Sequence, residues 1–410
     1  MWSINSPLII FFFSLSIAQA WEFSWPEIWT QQYPDIWQPS TASSNCTISR
    51  MNAFKIVKTP ITIRTSPLDN PAGPKVFPLN STAGEQWEFD AISADGTLGI
   101  VIGLYRDPNY AMLGAGSFRL STELVWPNGT RYMQVDYPTD SIVEECEGYT
   151  RGIWKSSDFS YIFEISKTLR KSKIIIDTPP MSGTFILNSF TPPRYADGNV
   201  YPDSNASVVA APFFYWVEPI PVGHAELDLV IKGTPFQWSG IGGHERLWVA
   251  YSWYSLLEGM HVVRTTLGPY SLTYVKYTSK INQGVEYPSV FLVENEKKIF
   301  SSTVGEESAT DDYVIMTKAY DGFVPGSLKD KATGCILELV SPKRGDRWKF
   351  EFVHNVVAFE FPLGEGAGGT GFAARSSGGA VDDHVFTGVA LTEQLVFPKN
   401  NPMFKSNYKT

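Results

Sequence analysis

Apolar and polar residues alternate with a period of two along most of this chain. The alternation runs through Phe54–Arg64, Gly183–Asn188, Ala225–Ile231, Tyr270–Tyr277 and Trp348–Val353. A period of two puts successive side chains on opposite faces of a strand. The runs favour Val, Ile, Thr, Tyr, Phe and Trp, which suit a pleated, half-buried surface. Gly, Pro, Asn and Asp interrupt them at the intervals of a sandwich or barrel. No long 3.6-residue periodicity competes, so the pattern predicts an all-β protein with at most one short helix.

Length divides the pattern. The 410 residues favour two β domains. We place a leader at 1–20, an N-terminal barrel-like domain at 21–228 and a C-terminal one at 229–410, with the junction between Pro219 and Trp238. Residues Trp21 to Ser44 read as an irregular arm whose Trp21, Trp25, Trp29 and Trp37 pack onto a domain. Leu8 to Ala18 is an apolar run too short for an ordinary membrane span, and Ala18-Gln19-Ala20 is a small-x-small cleavage signature. Cleavage is expected after Ala20, although the leader has no Lys or Arg before its apolar run.

The secretory reading changes how other residues are read. Asn45, Asn80, Asn128 and Asn205 each begin an Asn-x-Ser/Thr acceptor for N-glycans. Of three cysteines, Cys46, Cys146 and Cys335, the first two form the expected bridge, although spacing alone leaves the pairing open. The net charge of -9 comes with no basic stripe, which argues against a nucleic-acid partner. No later apolar run is long enough to span a bilayer. Aromatic content of 14% points to broad sheet surfaces or large apolar cavities.

Candidate chemistry concentrates between Trp238 and Trp248, where Gly240, Gly242 and Gly243 precede His244-Glu245-Arg246. Three adjacent ionisable groups are poor core material. Walled by indoles, they suit a small-molecule site in which His244 or Glu245 moves protons and Arg246 hydrogen-bonds a carbonyl or enolate. The other reading is an ion-paired corner joining two domains. The glycines imply unusual backbone angles or close approach. Trp216, Trp253, Tyr254 and Tyr270 are aromatic candidates for cavity walls, with Tyr254 and Tyr270 also offering hydroxyl donors; ordinary core packing is the alternative. His224, Glu226 and Asp228 share one strand face, either lining a cavity or facing solvent, with no supporting Cys or second His for a metal. Gly364 to Gly379 formally contains GxGxxG, but no βαβ unit follows, so we read a mobile loop or lid rather than a dinucleotide site.

Several segments together resemble one family, the fungal lipocalin-like Diels-Alderases of secondary metabolism. They are Trp216-Val217-Glu218-Pro219 with His224-Ala225-Glu226, the Gly240-to-Trp248 motif, Gly268-Pro269-Tyr270, Asp330-Lys331 with Leu337-Glu338-Leu339, Gly364-Glu365-Gly366 with Gly368-Gly369, and Gly388-Val389-Ala390-Leu391-Thr392-Glu393. The carotenoid hydratase-like proteins share the Gly-x-Gly-x-His-acid pattern. The leader and acceptor sites resemble the secreted branch, which includes hetero-Diels-Alderases and cytochalasan cyclases. The resemblance implies two lipocalin-like barrels with a pocket at or near their junction. It also implies a cofactor-independent, stereoselective [4+2] cyclase acting on a hydrophobic polyketide or terpenoid. An acid–base hydratase or isomerase, and a non-catalytic secreted carrier, are the competing readings.

Overall fold

The computed structural model describes residues 45–399, apart from 81, 109–113, 323–329 and 365. The expected leader, its cleavage site and the Trp-rich arm lie outside the described residues.

Antiparallel pairing dominates. One sheet runs in the order β1 (Thr47–Asn52), β8 (Asp140–Glu145), β9 (Tyr149–Lys155), β10 (Ser160–Ser166), β11 (Lys171–Thr178), β12 (Met181–Ser189), β15 (Phe214–Ile231), β16 (Thr234–Val249), β4 (Gly84–Ser93), β5 (Gly99–Arg106), β6 (Phe118–Val125) and β7 (Arg131–Asp136). Short strands β13 (Arg194–Tyr195) and β14 (Val209–Ala211) also pair with β15, and β2 (Thr62–Ile63) pairs with β3 (Val76–Phe77). A four-residue helix, α1 (Trp253–Leu256), leads into the second sheet. Its order is β20 (Lys297–Ser302), β19 (Val285–Glu294), β18 (Tyr270–Ser279), β17 (Leu257–Leu267), β25 (Phe386–Val396), β24 (Ala367–Ala380), β23 (Asp346–Gly364), β22 (Gly334–Ser341) and β21 (Tyr313–Ala319).

Both sheets curl around packed interiors. In the first, strands remote in sheet order meet: Tyr161 of β10 donates to Asp136 of β7 (3.4 Å), and Arg106 of β5 donates to Ser141 of β8 (2.9 Å). Trp87, Phe89, Trp154, Phe163 and Trp248 fill the space between. In the second, the Val314 amide bonds the Val304 carbonyl (2.9 Å), linking the end strands, around Leu272, Leu337, Leu339, Phe350 and Phe352. The architecture is all-β, with two lipocalin-like barrels.

Several expectations meet a different outcome. The boundary at 228/229 falls inside a hairpin: Lys232 and Gly233 have φ of 49° and 80°, as a tight type I′ turn requires, so β16 folds straight back on β15. Residues 229–249 therefore stay in the first sheet, and the change of sheet comes at α1. The alternation of Phe54–Arg64 yields strand only at Thr62–Ile63; Pro60 has no N–H to give a ladder, and Phe54 stays exposed. The Gly-rich stretch is not a lid but strand β24. Its bare backbone is covered by aromatic rings from β23: a Cβ on Gly371 would lie 2.0 Å from the Phe359 ring, and one on Gly369 would lie 2.4 Å from Phe361.

Cys46 and Cys146 are joined, tying the ends of paired strands β1 and β8, while Cys335 is free and buried. Asn45, Asn128 and Asn205 are exposed. Asn80 is half-buried, and its side-chain oxygen accepts from the Thr82 and Ala83 amides. His224, Glu226 and Asp228 occupy the solvent face of β15.

Candidate functional site

The seam between the sheets is formed where β15 and β16 are buried on both faces. Residues 240–249 of β16 are all buried, whereas Gln237 and Ser239 are exposed. Alternation then sends neighbouring side chains into different environments. His244, Arg246 and Trp248 point into the first barrel; Ile241, Glu245 and Leu247 face the second sheet.

His244 stacks on Phe89 with ring centroids 4.0 Å apart, and its Nδ1 lies 2.8 Å from the Glu88 carbonyl. Burial lowers its pKa to about 3, so the ring is neutral and Nδ1–H is the donor. Arg246 pairs with Glu85 (3.0 Å), donates to the Gly73 carbonyl (2.8 Å) and lies 3.5 Å from the Trp87 ring. Arg106 pairs with the other Glu85 oxygen (3.2 Å). Trp248 stacks on Tyr215 and donates to the Arg64 carbonyl (3.0 Å). Trp238 is half-buried against Phe236. Tyr270 sits in the second barrel against Phe350 and Phe386. These residues belong to the barrel interiors, away from the seam cavity described below.

A buried ion network locks the seam. The absent side chain of Gly243 makes room for Arg264 of β17, whose Nη1 would lie 2.0 Å from a Cβ there. The glycine pattern thus reflects close approach and not unusual angles. Arg264 donates to both oxygens of Asp90 (2.9 and 3.0 Å) and pairs with Glu218 (3.3 Å). Glu218 in turn accepts from Arg194 (2.5 Å) and Thr273 (2.7 Å). Bidentate geometry and the matching of two guanidinium groups by two carboxylates let these charges remain buried.

Beside this lock the sheets part around a cavity of about 240 Å³. Phe214, Leu247, Trp253, Leu257, Met260, Phe359, Phe361 and Leu395 supply an apolar wall. Gln86, Glu88, Tyr105, Arg119, Glu123, Glu245 and Glu393 supply polar groups. Met133, Val135 and Pro362 line it and are exposed, which marks the mouth. Of the sequence-derived candidates, Glu245, Trp253 and Tyr254 reach this cavity. Trp253 donates to Asp107 (3.1 Å), and Tyr254 packs edge-on against Phe397. Trp216 stands behind the wall, where it donates to Glu245 (2.9 Å).

The sequence reading missed the acids beside Glu245. Their signal is an ionisable group within an apolar row: Glu393 shares its strand face with Leu391 and Leu395. Burial, followed by mutual repulsion, raises the pKa of Glu88 and of Glu393 well above the carboxylate range. Burial raises Glu245 to about 7, opposed by the nearby Arg264. Neutral carboxylic acids in an apolar site can donate hydrogen bonds. Among the described residues, no group of His, Cys, Asp and Glu is arranged to hold a metal ion, and no helix is long and apolar enough to cross a membrane.

Comparison with known proteins places this geometry. The Diels-Alderase-like family matches residues 43–398. Diels-Alderase ffsF of Aspergillus flavipes is 50% identical over 374 residues, covering 90% of this chain and 91% of its own. Diels-Alderase cheD of Chaetomium globosum is 47% identical over 397 residues, covering 96% and 94%. The crystal structure of CghA with Sch210972 has a TM-score of 0.75 at 23% identity, covering 87% of this chain and 99% of that one. Kievitone hydratase from Nectria haematococca shares the fold more distantly, with a TM-score of 0.51 at 12% identity, covering 84% and 98%. The chain belongs to the Diels-Alderase-like family and is a pericyclase of [4+2] cycloaddition in secondary metabolism.

Proposed function

We propose that the seam cavity is the reaction chamber in which a flexible polyketide or terpenoid polyene, bearing a carbonyl-activated alkene, is folded for a stereoselective Diels–Alder or hetero-Diels–Alder closure. Such a reaction turns three π bonds into two σ bonds and one new π bond. It requires no proton to leave or arrive. Holding diene and dienophile together removes up to roughly 7–11 kcal/mol of barrier. Phe214, Leu247, Trp253, Phe359 and Phe361 offer the surface that fixes the fold of the chain. A donor at the opposite side of the cavity polarises the carbonyl as charge builds on it.

One observation carries this reading: a single cavity joins an aromatic and aliphatic wall to a set of carboxyl, amide and hydroxyl groups. The hydratase alternative rested on His244 beside Glu245, and β16 turns those two side chains to opposite faces. The test is incubation with a synthetic linear polyene carrying an enone. Acceleration and one dominant diastereomer are expected, with no oxygen taken up from labelled water. A product ratio equal to the protein-free control defeats the proposal, and labelled oxygen in the product establishes the hydratase. Retention of unreacted polyene establishes the carrier.

We also propose that the protein enters the secretory route. The apolar Leu8–Ala18 run, exposed Asn45, Asn128 and Asn205, and the Cys46–Cys146 bridge support it. N-terminal sequencing is expected to begin at Trp21, and glycosidase treatment to lower the mass.

A further inference from the structure

We propose that Glu393 is a catalytic residue whose carboxylic acid, lining the seam cavity, donates a hydrogen bond to the carbonyl of the bound substrate. The inference rests on that cavity being the reaction chamber. Glu393 lies on β25, in register with Gly371 of β24, and the Phe359 ring covers that glycine. The acid therefore stands next to the aromatic wall. It is only 7% exposed, it lines the cavity, and among the described residues it has no hydrogen-bond or ion-pair partner. A polar group buried to that extent is costly unless something fills its hydrogen-bonding capacity.

The neighbouring acids differ. Glu245 accepts from the Trp216 indole, and Glu88 accepts from the Gln86 amide. A carboxylate that receives such bonds carries charge more readily than one that receives none. Closely spaced acids cannot all ionise, so the group retains protons, and the acid without donors is the one that keeps its own. The groups facing Glu393 are Glu245 on β16, Glu88 and Asp90 on β4 and Glu123 on β6; Arg264, on the strand β17 that pairs with β25, is held by Asp90 and Glu218. Its other side borders a space of about 20 Å³ shared with His261, Lys318 and His354. The proton stays on Glu393 throughout: the hydrogen bond strengthens as the carbonyl gains charge, and no O–H bond is made or broken.

The experiment compares wild type, Glu393→Gln and Glu393→Leu. The first readout is the carbonyl stretch of a ¹³C-labelled enone carrying a saturated alkyl chain, which binds but cannot cyclise. The second is turnover of the linear polyene between pH 5 and pH 9. Wild type is expected to shift the bound carbonyl to lower frequency and to lose activity as rising pH removes the proton from Glu393. Glu393→Gln, whose amide still donates, keeps the shift and loses the pH dependence. Glu393→Leu loses the shift and at least about tenfold in kcat, with little change in KM. An equal carbonyl shift in wild type and Glu393→Leu overturns the assignment, even if the protein accelerates the cycloaddition. A shift that disappears in Glu393→Leu, in a protein that accelerates nothing, keeps the donor and defeats the reaction. Should the Leu variant not fold, a Gln variant with the wild-type pH profile overturns it as well.

Discussion

At the scale of residues, burial decides what the His244-Glu245-Arg246 triplet does. Arg246 holds Glu85 in the first barrel, so its removal leaves a buried carboxylate one partner short. Arg246→Ala is expected to cost roughly 3–5 kcal/mol, measured by urea unfolding, and so to lower activity through folding rather than chemistry. The two titrating neighbours pull stability in opposite directions. His244 has its folded pKa lowered to about 3, so its contribution is fully present above 6.5 and is lost as pH falls from there toward 3. Glu245 has its folded pKa raised to about 7, so its contribution is present below about 4.5 and is lost as pH rises through 7. Between pH 4.5 and 6.5 the two slopes oppose each other. His244→Phe keeps the stack on Phe89 and removes one slope. Its urea midpoint is expected to fall more steeply with rising pH across that window than the wild-type midpoint does, and parallel curves would refute the assignment.

At the scale of elements, strands whose faces differ were legible and strands buried on both faces were not. Ala225–Ile231 alternates because one face meets water, and it forms a strand as the pattern predicts. Residues 240–249 carry glycine, charge and indole in succession because each face meets a different interior, so no single period describes them. Glu245, Trp253 and Tyr254 were recoverable from residue type. Glu88, Glu123 and Glu393 were not, because the cavity draws on β4, β6 and β25, which only tertiary pairing brings together. The glycines of β24 read as loop material, and those of β16 left unusual angles open beside close approach, for the same reason: what they accommodate comes from another strand. Gly243→Ala tests this. Its Cβ would meet the Arg264 guanidinium, which is held at three points and cannot swing aside. The expected loss is about 1–3 kcal/mol by chemical denaturation, whereas Gly345→Ala, at a turn with open space and φ of 76°, loses only the strain of its backbone angle.

At the scale of the whole molecule, the site belongs to neither barrel, so factors that hold the sheets together and factors that hold one sheet to itself have separable effects. The Cys46–Cys146 bridge closes a span of 100 residues within the first sheet, and neither cysteine borders the cavity. Replacing both by Ser is expected to lower stability by about 2–5 kcal/mol, because the unfolded chain regains its freedom. The folded cavity keeps its shape, so the diastereomer ratio should not change. Arg264→Lys acts at the other place. Lysine keeps one charge but cannot span both Asp90 oxygens and Glu218 at once, so the register of β17 against β4 and β15 loosens. Because Leu257 and Met260 of the same strand form part of the cavity wall, that loosening reaches the space where the reactant folds. The expected result is a smaller drop in urea midpoint than the cysteine variant shows, with an eroded diastereomer ratio. If erosion of the ratio merely followed the loss of stability in both variants, the seam would be a site of folding alone, and the coupling between sheet register and product geometry would have to be abandoned.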